Sequence, residues 1–195
     1  MRFAIVSALA ILPLVAHAQH APHRHGAPYS GLERREIKSL SNEDQADLRR
    51  GAGWGLALPA ELNGHPGPSH VLEMKVELAL TDQQIEAVSR IFERMRQDAI
   101  AEGERFIAAE NTVEALFRER SADEDALRRA IGASEASRAR LRLIHLLAHL
   151  STPALLTEAQ IARYKQLRGY ASDPCAAVPS GHDPSMWRRH NGCGG

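Results

Sequence analysis

Aromatic residues are scarce in this chain, with four Phe, three Tyr and two Trp among 195 residues. Aromatic side chains bring the most buried area per residue, so their shortage excludes a thick globular core and favours thin, elongated helical packing. Lysine is scarcer still: three residues against 21 arginines. The 24 basic side chains are matched by 24 acidic ones. With no net charge the chain lacks the electrostatic basis for nucleic-acid binding, and no nucleic-acid partner is expected. The only two cysteines, Cys175 and Cys193, lie near the C-terminal end. Their spacing matches no standard zinc module, and an oxidising compartment favours a disulfide between them; the alternative is a free pair binding metal with His182 and His190. Apolar runs long enough to span a bilayer are also missing.

What is present begins with a short leader pattern. Arg2 supplies a positive start, residues 3–15 an apolar run, and Ala16-His17-Ala18 a small-x-small cleavage site. Export, removal of residues 1–18 as a signal peptide and a periplasmic location without stable membrane insertion are therefore expected. Residues 19–68 read as a flexible segment: His20, His23 and His25 stand among Pro and Gly, and glycines and prolines interrupt residues 51–68. Ser41 before Asn42-Glu43-Asp44 suggests one short helix, and Trp54, Leu56 and Leu58 are candidates to dock the loop that follows. Ser69 is a candidate cap for a short helix running to about Leu78.

A pentapeptide then occurs twice, as Leu80-Thr81-Asp82-Gln83-Gln84 and Leu156-Thr157-Glu158-Ala159-Gln160. In each copy Thr can cap a helix while Gln three residues later reaches back, forming a capping box; Leu80 with Ile85 and Leu156 with Ile161 add hydrophobic staples. After the first copy, Ile85, Val88, Phe92, Met95, Ala99, Phe106, Ala109, Val113 and Leu116 recur at alternating three-four spacing, interrupted only by Glu102. That pattern predicts one helix from Asp82 to about Glu119. Ser121 and Glu124 suggest a further capping box and another helix to Leu150, antiparallel to its neighbour because the connection is short. Its leucines cover most of the circumference and leave a narrow polar stripe of Arg138, Arg142, His145 and His149, so cover by a second copy is expected.

The repeated L-T-x-x-Q motif in a small exported helical protein resembles the Spy/CpxP family of periplasmic stress proteins, over roughly residues 65–170, with heavy-metal sensor and resistance proteins as close relatives. The resemblance implies an all-α, long-helix hairpin with shorter flanking helices in a helical domain at 69–170, followed by a tail at 171–195, and a cradle-shaped antiparallel homodimer. It also implies a chaperone-like stress-response role: binding unfolded or misfolded envelope proteins without ATP. Arg90, Arg94, Arg105, Arg138 and Arg142, interleaved with apolar residues, are the candidate client-binding surface.

The alternative reading is metal sensing. His145 and His149 stand one helical turn apart, the spacing that lets two imidazoles share a zinc, copper or nickel ion, with His65, His70 and Glu73 as upstream candidates. Arg138 and Arg142 on the same stripe oppose a cation. A third reading is a regulator of an envelope sensor kinase. His145-Leu146-Leu147-Ala148-His149 has a zinc-protease histidine spacing, but Leu146 occupies the general-base position. No nucleophile elbow, phosphate loop or dinucleotide fingerprint is present, so no enzyme and no required cofactor are expected.

Overall fold

The computed structural model describes residues 28–171, together with 175, 178, 181, 183–190 and 193. The expected signal segment, the histidines at 20, 23 and 25, His182 and the side chain of His190 lie outside the described residues. The chain divides into a short unit, Met1–Glu33, and a main unit, Arg34–Gly195. Within the main unit the helices are α1 (Asn42–Arg50), α2 (Leu58–Leu62), α3 (Pro68–Glu73), α4 (Asp82–Arg118), α5 (Glu124–Ser151), α6 (Glu158–Leu167) and α7 (Pro184–His190). A 3-10 turn, Pro153–Leu155, joins α5 to α6. No strand occurs among the described residues, and no helix there is long and apolar enough to cross a membrane.

α4 is a single 37-residue helix, about 55 Å long at 1.5 Å per residue. Its apolar stripe supplies the buried Val88, Met95, Ala99 and Phe106. Glu102, the one break in the stripe, is buried as well. It stays charged because Ser137 Oγ donates to it at 2.6 Å, Arg105 at 2.7 Å and Arg140 at 3.0 Å. Burial by itself would raise the Glu102 pKa; these donors outweigh it and hold the carboxyl below its usual range. Farther along, Ser134 on α5 donates to Glu110 on α4. The pairings 137 with 102 and 134 with 110 run in opposite directions, so α4 and α5 are antiparallel.

The face that α5 turns inward is not its leucine-rich one. Its buried residues are Ala130, Ser134, Ser137, Leu141, His145, Ala148 and His149. The expected polar stripe is therefore split: both histidines face inward, while Arg138 and Arg142 are exposed. Small side chains and two serines let α5 lie close to α4 and satisfy the α4 carboxylates. Leu143, Leu147 and Leu150 consequently remain 54%, 50% and 64% exposed.

Several helix boundaries differ from expectation. Asp123, not Ser121, caps α5 by accepting from the Ala126 N–H at 2.7 Å, because a carboxylate directly before the first turn satisfies a free N–H. Gly67 precedes α3, Pro68 opens it, and the Ser69 hydroxyl donates to Glu73 instead of capping. α3 ends at Glu73, and turns fill residues 74–79 before the first pentapeptide. The packed body also starts before residue 69. α1, capped by a Ser41–Asp44 box, packs on α4. Its approach is close enough that a Cβ at Gly103 of α4 would lie 2.6 Å from the Leu48 carbonyl oxygen.

Two apolar clusters result. One joins Ile37, Leu40, Leu48, Leu56, Ala99, Phe106, Ile107 and Leu141, with Trp54 against Phe106 at a ring separation of 5.7 Å. Leu58, the third docking candidate, is exposed. The other joins Val71, Leu78, Val88 and Tyr164 and carries the leucines of both pentapeptides, Leu80 and Leu156, at its edge. Cys175 and Cys193 form a disulfide that brackets α7.

Candidate functional site

The two pentapeptides meet face to face. Thr81 and Thr157 each accept from the N–H three residues on, and Gln84 and Gln160 each accept from their own cap N–H at 3.0 and 2.9 Å. The Gln84 amide also donates to Gln160 Oε1 at 2.9 Å and to the Leu155 carbonyl at 2.8 Å. Gln160 returns the exchange, donating to Gln84 Oε1 at 3.1 Å and to the Leu78 carbonyl at 3.2 Å. Each side chain thus closes its own helix start and holds the chain leading into the other. Both amide hydrogens and both oxygen lone pairs are used, which explains Gln at this position: Glu would place two carboxylate oxygens against each other.

Behind this pair lies a buried polar node that sequence reasoning missed. Glu61 of α2 accepts from the Tyr164 hydroxyl of α6 and lies 3.3 Å from Arg168 Nε. His70 Nδ1 of α3 stands 3.6 Å from one carboxylate oxygen and His149 Nδ1 of α5 3.7 Å from the other. Burial pushes the Glu61 pKa up, but His70 and Tyr164 outweigh it and bring the carboxyl down to about 2. Tyr164 is pushed the other way, first by burial, then by its hydrogen bond to Glu61 and by the Glu61 charge. Nothing in the sequence marked Glu61, because it sits in a Pro- and Gly-rich stretch that reads as loop; Tyr164 and Arg168 carry no motif either.

The five metal candidates are placed differently from one another. His149 Nδ1 is 2.8 Å from the His65 carbonyl oxygen; since a carbonyl only accepts, that nitrogen carries the proton. His65 therefore contributes its backbone here, and its side chain is exposed. His70 faces Glu61, and Glu73 accepts from Ser69 at an exposed position. His145 is 2% exposed, and its Nε2 has no hydrogen-bond partner among the described residues. Burial, then the neighbouring His149, lower the His145 pKa to about 4. No three His, Cys, Asp or Glu side chains among the described residues gather closely enough to hold a metal ion.

A groove of about 620 Å³ opens between α4 and α5. Ile91, Met95, Ile144, Leu147 and Leu155 make its floor and walls, and Arg90, Arg94 and Asp98 stand with them. Of the five candidate arginines only Arg90 and Arg94 line it. Arg90 reaches Glu86 at 2.5 Å, Arg105 is held by Glu102, and Arg138 lies 3.8 Å from Glu135. Arg142 is exposed on the flank of α5 away from the groove.

Fold and groove together define an all-helical domain built on one antiparallel pair of long helices, with short helices closing one polar node. Compared with protein-family models, curated proteins and solved structures, the chain matches none.

Proposed function

We propose that this protein is an exported, chaperone-like stress protein of the Spy/CpxP kind, holding unfolded or misfolded proteins without nucleotide. The observation that carries this reading is the α4–α5 groove: an apolar floor left open along the longest helix, with Arg90 and Arg94 beside it. Apolar walls attract core segments that a client exposes, while guanidinium groups engage its carbonyls and carboxylates. Many weak contacts of this kind hold a chain without fixing one conformation. The repeated L-T-x-x-Q motif supports the same family, and its role in joining two helix starts accounts for its occurring twice.

The purified protein is expected to slow aggregation of a chemically denatured client at near-stoichiometric ratio in the presence of a chelator. Ile91→Glu, which puts a charge on the groove floor, is expected to lose most of that effect while keeping its helix content. Equal aggregation with and without the wild-type protein would remove the chaperone reading.

A further inference from the structure

The C-terminal half of α5 carries charge of one sign. From residue 136 to residue 157 the chain has no Asp or Glu, while Arg138, Arg140 and Arg142 fall within that stretch. Here α5 turns Ser137, Leu141, His145 and Ala148 inward and leaves Leu143, Leu147 and Leu150 outside, each half or more exposed. At 100° per residue the three leucines fall within about 60° of one another and form a single ridge. Its exposed area is roughly 300 Å², the scale at which an apolar surface patch marks an interaction site.

The charges beside the ridge say what covers it. On one flank Arg142 is exposed. On the other, Arg140 lies 3.0 Å from Glu102, and Arg105 reaches the same carboxylate at 2.7 Å. Two guanidiniums answer one buried carboxylate there, which leaves a net positive charge on side chains that are 55% and 66% exposed. Arg138, 3.8 Å from Glu135, adds less. A leucine ridge between positive flanks fits a surface that is apolar below and negatively charged above. A copy of this half of α5 would bring the same arginines and no carboxylate to meet them.

We propose that the outer ridge of α5 docks reversibly on an anionic bilayer surface, with the three leucines entering the boundary between headgroups and acyl chains and Arg140 and Arg142 engaging lipid phosphates. A leucine side chain reaches only to that boundary, and an arginine stem lies along apolar surface while its guanidinium stays at headgroup level. The helix lies on the bilayer and does not cross it, in keeping with its hydropathy. The ridge is about 10 Å long at 1.5 Å per residue. With so short a ridge and few charges the docking is weak and salt-sensitive. Leu147 also lines the α4–α5 groove, so docking sets that groove beside the membrane surface. Leu143 and Leu150 do not line it, so vesicle binding and client holding fail separately when these two are changed.

The purified protein is expected to sediment with vesicles of phosphatidylcholine and phosphatidylglycerol in equal parts at millimolar lipid, roughly tenfold more than with phosphatidylcholine alone, and to be released by about 0.5 M salt. Leu143→Gln combined with Leu150→Gln changes only exposed positions, so its helix content should match wild type while vesicle binding falls roughly tenfold or more. Arg142→Glu should weaken binding by a similar factor, whereas Arg118→Glu, the same reversal at the far end of α4, should leave it within about twofold. Equal binding to both vesicle types, undiminished binding of the double leucine variant, or an equal loss in Arg118→Glu would each overturn the inference. So would a wild-type protein that ignores both vesicles and has a mass of two protomers, falling to one in the leucine variant, since a second copy would then cover the ridge.

Discussion

At the scale of single residues, His145 is where burial has the most direct consequence. Its ordinary value of 6.5 is lowered to about 4 in the folded chain, first by burial and then by His149. Between those values the unfolded chain binds a proton that the folded chain refuses, so stability is complete above the upper value and falls as pH drops toward the lower. The shift corresponds to about 3 kcal/mol. Urea midpoints measured at about pH 7.5 and about pH 4.5 are expected to show that loss, and His145→Leu should abolish most of it. An unchanged pH slope in the variant would refute the assignment. The sequence located this histidine and its partner one turn away but could not say which way either pointed.

At the scale of elements, the pentapeptides work as a pair. Gln84→Ala and Gln160→Ala each remove a cap and two cross-links, and each is expected to cost about 1–2 kcal/mol. Because the two amides bond to one another, the double variant should cost less than the two costs combined, by at least about 0.5 kcal/mol. Strict additivity in a denaturation cycle would contradict the reciprocal contact. Both helix starts were legible because capping is local: a hydroxyl and an amide three residues apart satisfy backbone groups within one turn. That Gln84 and Gln160 also reach each other, 76 residues apart, is tertiary. The same distinction explains α5. Its length follows from periodicity and end signals, but with leucines around most of its circumference the buried face is chosen by α4, whose Glu102 and Glu110 require the serines.

At the scale of the whole molecule, Glu61 ties together α2, α3, α5 and α6. Removing one member of a buried charged group leaves the others uncompensated, so Glu61→Ala is expected to lower global stability by about 3 kcal/mol at neutral pH. The Glu61 carboxyl titrates at about 2 when folded against an ordinary 4.5. Its contribution is therefore present above the ordinary value and lost as pH falls toward the lower one, below most of the window in which His145 acts. Thermal melts that show Glu61→Ala unfolding with wild-type midpoint would exclude a stabilising role for the node.

The amino-acid sequence by itself determined the all-helical architecture, the span of α4 and the positions of the two stapled helix starts. These rest on propensity, periodicity and caps, which act within a few residues. Tertiary structure alone decided that α5 buries serines and histidines rather than leucines, that residues before 69 join the core, and that Glu61 becomes a junction. Each depends on which surfaces meet across long sequence separations, where close approach and the need to satisfy buried carboxylates outweigh hydrophobicity read along the chain.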